Sequence, residues 1–324
     1  MIEMWGGKRW SLAPSPSPGQ NPNPGTLAAV SCPSTNFCAA VGYYDTSFRE
    51  LTLIEIWNGK HWSISRSPNP SGYSHVLGVS CTSRSDCEAV GFYLHDCSAH
   101  TSGSSGLVER WDGHAWSVIP SPGGPCGGTH LQAVSCSAAS RCTAAGYHGH
   151  GFGDGTLVES WDGTRWSAVP SPNANPANNN ELLGVSCAAG RSCVAVGWYQ
   201  RVFAGPELTL AETWNGTRWS IAASPSPGTP RFSDSLTGVS CTGPANCVSV
   251  GDQALQVGVA RTLVETWDGT TWRPARSPDP WPAQELSGVV CTSGSSCEAV
   301  GDADSSTDNI PDKTFVETGS SSRN

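Results

Sequence analysis

One phrase returns along this chain at a nearly fixed interval, and it limits the possible folds more than any other feature. "VERWDGHAWSVIPSPG", "VESWDGTRWSAVPSPN" and "VETWDGTTWRPARSPD" each hold two tryptophans five positions apart around Asp-Gly, followed by Ser-Pro. The leading tryptophans are Trp5, Trp57, Trp111, Trp161, Trp214 and Trp267, separated by 52, 54, 50, 53 and 53 residues. Each has its partner: Trp10, Trp62, Trp116, Trp166, Trp219 and Trp272. A Cys-x5-Cys phrase keeps the same interval, with pairs at 32/38, 81/87, 136/142, 187/193, 241/247 and 291/297. A repeat of about fifty residues is the mark of an array of supersecondary units, none of which buries its apolar surface alone.

Each unit reads as four short strands. In the fourth these are "LLGVSC", "CVAVGWY", "LTLAETW" and "RWSIAAS", bounded by turn residues. Asp-Gly and Asn-Gly are the preferred two-residue hairpin turn. A turn centred on Asp162-Gly163 sets Trp161 opposite Thr164 and Glu159 opposite Trp166, with both indoles and the glutamate on one face. The following Pro ends the fourth strand, because it has no N–H to donate.

Four antiparallel strands repeated six times predict an all-β, six-bladed β-propeller forming a single domain over 1–324. The blades are expected at 26–68, 75–122, 129–172, 181–225, 235–278 and 285–318, with 6–14 supplying the strand that completes the last. Residues 314–318 are expected to take the third-strand position there, leaving Met1–Met4 at the edge. The paired tryptophans are read as packing that fills the wide gap between blades. The glutamate two residues before each leading tryptophan (Glu55, Glu109, Glu159, Glu212, Glu265) recurs in every repeat. It is read as structural, accepting hydrogen bonds from an indole or a neighbouring strand.

The cysteine spacing fits hairpin disulfides within each repeat, since residues flanking a hairpin loop lie at bridging distance. Zinc is disfavoured by Cys-x5-Cys spacing with no histidine at a matching offset. Cys97 and Cys126 break the pattern. They fall on two loops expected on the same side of a blade, which predicts a seventh bridge. Disulfides imply an oxidising, extracellular or cell-surface setting. Met1 leads straight into repeat material, so a leader is expected upstream of Met1 or already removed.

Acidic residues outnumber basic ones, 27 to 18, for a net charge of −9, and the basic ones are scattered. This disfavours nucleic acid and anionic membrane as partners. No run of 18 apolar residues is present, so no membrane insertion is expected. No nucleophile elbow, phosphate loop or dinucleotide fingerprint occurs, and no cofactor is expected.

The loops between second and third strands vary most and sit on the face expected to carry function. The aromatics outside the packing pattern, Trp198, Tyr199, Phe203 and Trp281, together with His95 and His148, are the candidate ligand contacts. His95, His100, His148 and His150 are a lesser candidate for metal, alongside Asp96 and Asp154. Asp302, Asp304 and Asp308 match part of a calcium-loop template, but Thr307 and Lys313 stand where its glycine and glutamate belong.

The repeat resembles bacterial secreted propeller repeats of the kelch and BNR/Asp-box kind over nearly the full chain; the match is architectural, and "WDGTRW", with Asp and Gly adjacent, is similar to the Asp-box motif. The same hairpin is similar to that of the six-bladed fucose-binding lectins. That resemblance implies sugar contacts from Glu109, Glu159 and Glu265 with Trp116, Trp166 and Trp272. It lacks the arginine those lectins carry on the preceding strand. Three functions follow as expectations: a monomeric, secreted, non-catalytic propeller binding a glycan or surface protein on its variable face; a glycan-processing hydrolase or lyase with its site on that face; or a structural module of a larger surface protein.

Overall fold

The alternation of apolar and polar residues in each repeat produces strands and no helix in the described residues of the computed structural model. These residues are 2–6, 9–18, 25–98, 101–123, 126–150, 153–188, 192–228, 231–257, 259–278, 284–293, 296–303 and 313–319. The first repeats give β1 (Ile2–Trp5) and β2 (Trp10–Ala13), then β3 (Thr26–Ser34), β4 (Phe37–Asp45), β5 (Glu50–Trp57) and β6 (Trp62–Ser65). Next come β7 (Ser74–Ser83), β8 (Asp86–Ser98), β9 (Thr101–Trp111) and β10 (Trp116–Ile119), then β11 (Thr129–Ala138), β12 (Arg141–His150), β13 (Gly153–Trp161) and β14 (Trp166–Val169). The later repeats give β15 (Asn180–Ala188), β16 (Ser192–Gln200), β17 (Glu207–Trp214) and β18 (Trp219–Ile221), followed by β19 (Asp234–Gly243), β20 (Asn246–Gln256), β21 (Val259–Trp267) and β22 (Trp272–Ala275). The last are β23 (Gln284–Ser293), β24 (Ser296–Ala303) and β25 (Lys313–Gly319).

Five four-stranded sheets follow chain order: β3–β6, β7–β10, β11–β14, β15–β18 and β19–β22. A three-stranded sheet, β23-β24-β25, and a two-stranded one, β1-β2, complete the set. β25 takes the third-strand position beside β24, as expected, pairing Ala299 with Glu317. β1 pairs with β2, Trp5 opposite Trp10.

The chain divides into two compact units, Met1–Ala144 with Glu159–Ala168, and Ala145–Val158 with Val169–Asn324. In the first, β7 packs between β3 and β11; in the second, β19 packs between β15 and β23. Val76 and Leu131 in the first unit, and Leu182, Leu236 and Leu286 in the second, occupy one repeat position, and none has any exposed surface.

The recurring "SC" has a structural reason. The Ser31 hydroxyl accepts the Cys81 N–H, and Ser80 accepts that of Cys136. In the second unit Ser186 serves Cys241, and Ser240 serves Cys291, all four at 2.9 Å. The serine of one repeat thus holds the cysteine backbone of the next. All fourteen cysteines are in disulfides: Cys32–Cys38, Cys81–Cys87, Cys136–Cys142, Cys187–Cys193, Cys241–Cys247, Cys291–Cys297 and Cys97–Cys126. The glycine four residues after the second cysteine is also required, at Gly42, Gly91, Gly197, Gly251 and Gly301. A bulge between Val76 and Gly78 brings the His75 carbonyl to where a Cβ at Gly91 would stand.

The tryptophan hairpin differs from the two-residue turn expected. Trp111 pairs with Trp116 directly, leaving a four-residue loop. The cause is the aspartate side chain: Asp112 Oδ1 accepts the N–H of His114 and of Ala115, each at 2.8 Å. Only Gly113 then needs the left-handed region, at φ 95°. Both indoles and the glutamate still share a face.

The glutamate's partner also corrects the sequence reading. It is neither an indole nor a strand but the serine of the preceding repeat's Ser-Pro. Ser15 donates to Glu55, Ser67 to Glu109, Ser121 to Glu159, Ser171 to Glu212 and Ser224 to Glu265, at 2.7–2.9 Å. Each glutamate is wholly buried. The leading indoles donate instead to the Cys-x5-Cys loop, as Trp111 Nε1 does to the Arg84 carbonyl at 3.1 Å.

Candidate functional site

At the loop end of the first unit, the residue just before the buried Val or Leu of the inner strand is His75 on β7 and His130 on β11. Strand pairing sets His75 opposite Phe92. Tyr43, at the end of β4, lies flat on His75, with ring centres 3.8 Å apart and planes 6° from parallel. Tyr73 stacks on the same imidazole at 4.8 Å. Phe92 lies 5.1 Å from His75 and 4.0 Å from His130. Five rings from three consecutive repeats therefore form one shelf.

Its orientation is fixed from below. His75 Nε2 lies 2.6 Å from Glu50 Oε2. The Glu50 N–H donates to the Gly72 carbonyl at 3.1 Å, and Tyr73 accepts the Leu94 N–H at 2.9 Å. Burial, followed by the Glu50 carboxylate, raises the Tyr73 phenol above its ordinary range. Tyr43, Tyr73, Phe92 and His130 are half-buried and His75 is buried. Such a surface offers aromatic faces for apolar C–H groups and a carboxylate for hydrogen bonding.

The second unit carries acids at the equivalent strand positions. Glu181 and Glu285 stand where His75 does, and Glu285 pairs across the strands with Asp302. Ser235 donates to Asp252 at 2.5 Å. Burial, then the Asp154 and Glu207 charges, pushes Glu181 up to about 8. Burial, then Asp302 and Asp252, raises Glu285. A proton retained among close carboxylates equips this row for acid–base work.

The residues singled out from sequence are distributed as follows. Trp198 and Tyr199 are consecutive on β16, half-buried, and so point to opposite faces of the strand. Trp198 pairs with Glu181. Phe203 is 80% exposed in the turn that follows. His95 is held by Ser105 Oγ at 2.8 Å, with Tyr93 5.3 Å from its ring. His95, Cys97 and Cys126 gather closely enough to suit a metal, but the two sulfurs are bonded to each other and offer no thiolate. His148 is half-buried and belongs to the second unit, His95 to the first. Trp281, His100, Asp304 and Asp308 lie outside the described residues, as does the side chain of His150. Sequence reading missed Tyr43, Tyr73, Phe92, Glu181 and Glu285. For Glu181 and Glu285 the signal was the repeat position before the inner Leu, where side-chain chemistry changes from one repeat to the next; Tyr43 and Phe92 each follow the glycine of the second strand.

The chain is similar in fold to a Dyadobacter fermentans protein of unknown function, with TM-score 0.60 and 9% identity over 91% of this chain and 95% of that one. It is also similar to the Aleuria aurantia lectin in complex with alpha-methyl-L-fucoside, with TM-score 0.51 and 10% identity over 91% and 94%. A polysaccharide lyase, a PL25 ulvan lyase, aligns at TM-score 0.48 and 9% identity over 93% and 79%. No protein-family model and no curated protein matches the sequence. The structural neighbours include β-propeller proteins. The repeated four-stranded antiparallel sheets here are consistent with that architecture.

Proposed function

We propose that this chain is an extracellular, non-catalytic, glycan-binding β-propeller of six blades, its last blade completed by residues 6–14, that acts as a monomer. The observation that carries the reading is the shelf of Tyr43, Tyr73, His75, Phe92 and His130 braced by Glu50. Stacked, half-covered rings beside a fixed acceptor suit the apolar face and hydroxyls of a sugar. The seven disulfides support an oxidising compartment. Trp198, Tyr199 and Phe203 of the second unit, with His95 and His148, are proposed as further ligand contacts. The test is a glycan array with wild type and Tyr73→Ala. Wild-type binding that the variant loses supports the reading. Silence on the array, or binding only to surface proteins, overturns it.

The carboxylate row of the second unit favours a second reading, a glycan-processing hydrolase or lyase. Release of reducing ends from a polysaccharide panel, abolished in Glu181→Gln, would decide for it.

A further inference from the structure

A groove of about 520 Å3 opens in the first unit at the tryptophan-turn end, between the hairpin loop of β5–β6 and the Cys-x5-Cys loop of β7–β8. It is lined by Phe37, Ile56, Asn58, Lys60, Arg84 and Trp111. At five of these positions the residue is one that few or no other repeats carry. Where Phe37 stands, the next three repeats have Asp86, Arg141 and Ser192; where Ile56 stands, they have Arg110, Ser160 and Thr213. Lys60 replaces a histidine or threonine. Arg84 stands where the first and third repeats have Thr35 and Ala139. Asn58 replaces the aspartate of three other repeats.

The next interface shows what these changes do. There Arg110 lies over the Trp161 ring, 5.1 Å from its centre, and pairs with Asp86 at 2.8 Å and Glu88 at 3.5 Å. That plug leaves Trp161 only 4% exposed. With Ile56 and Phe37 in place of the arginine and aspartate, the Trp111 face has no such cover, and Trp111 is half-buried. The cations on the rim are also unneutralised. Asp162 and Asp268 lie within ion-pair reach of Arg165 and Arg273, at 3.9 and 3.2 Å. Asn58 brings no charge, and among the described residues neither Lys60 nor Arg84 has a carboxylate partner. Both are exposed. In a chain of net charge −9, two free cations beside a half-buried indole that carries no arginine over its face form a local site for an anion.

We propose that this groove binds an anionic sugar residue, a uronate or a sulfate ester. The sugar's C–H face lies on Trp111 and Ile56, its charge sits between Lys60 and Arg84, and a hydroxyl meets the carboxamide of Asn36, which also lines the groove. Trp111 Nε1 is already donated to the Arg84 carbonyl, so the indole contributes its face alone and also holds the Arg84 backbone in place. The site is separate from the loop-end shelf and does not depend on it.

Calorimetry with a uronate oligosaccharide, a sulfated oligosaccharide and a neutral one of equal length tests the proposal. Wild type is expected to bind at least one charged probe in preference to the neutral one. The exposed double variant Lys60→Glu/Arg84→Glu is expected to weaken that binding by about 10-fold or more, and Arg218→Glu, an exposed cation of the second unit, to leave it unchanged. Phe37→Asp/Ile56→Arg rebuilds the neighbouring plug and should close the groove; circular dichroism reports whether it folds, and the charge reversal carries the test if it does not. Failure of both charged probes to bind, binding undiminished by the charge reversal, or equal binding of a poly-glutamate peptide overturns it.

Discussion

Ser67 Oγ donates to both carboxylate oxygens of Glu109, at 2.9 and 2.8 Å, joining the exit of one repeat to the third strand of the next. Glu109 has no exposed surface. Removing the hydroxyl leaves a buried carboxyl without its serine partner, a loss of about 1–3 kcal/mol. Ser67→Ala is therefore expected to lower the denaturant midpoint with an unchanged m-value. An exposed control, Ser63→Ala, should leave it in place.

These clasped glutamates, together with the buried Glu88, give the fold a pH dependence. Burial is the main cause that pushes Glu88, Glu109 and Glu212 up to about 8, and Glu159 and Glu265 up to about 7. In the unfolded chain such groups titrate near 4.3 (roughly). Between those values the folded state holds more protons, so stability falls as pH rises from about 4.5 to about 8 and levels off above. Asp162 and Asp268, held low by the Thr164 and Thr270 hydroxyls and the turn amides, act in the opposite sense only below about pH 4. Thermal melts at pH 5.5 and 8.5 should differ by roughly 5 °C, with the lower midpoint at pH 8.5. Glu109→Gln should shrink the difference.

The disulfides should not contribute equally. Cys97–Cys126 spans 29 residues and the hairpin bridges span 6. Loop-closure entropy assigns about 3–4 kcal/mol to the first and about 2 kcal/mol to each of the others. Cys97→Ser/Cys126→Ser is expected to lower the melting midpoint more than Cys136→Ser/Cys142→Ser, as calorimetry will show.

Gly91→Ala would drive a methyl group into the His75 carbonyl at the inner-strand bulge. The clash is with backbone and cannot be relieved by a rotamer change, so a cost above about 3 kcal/mol is expected. Loss of soluble, β-rich protein by circular dichroism is the readout.

On the shelf, Tyr43→Ala should weaken sugar binding about 10-fold, the worth of one well-placed ring contact. It removes the ring lying flat on His75. Titration against the best array ligand measures the effect.

By itself, the sequence determined whatever depends on neighbours along the chain. Cys-x5-Cys closes its own hairpin, the apolar alternation writes the strands, and the fifty-residue interval counts the repeats. It also placed β25 against β24. The turn register escaped it because an Asp112 side chain, not backbone preference alone, sets the loop length. The Ser67–Glu109 clasp joins residues 42 positions apart, and nothing local marks them as partners. The same holds for the ring shelf and for the groove, where Phe37 and Ile56 meet Trp111 of the next repeat. Only tertiary packing decides such contacts, because a sheet face acquires its neighbours when the sheets stack, and a departure from the repeat acquires meaning from the side chain it then faces.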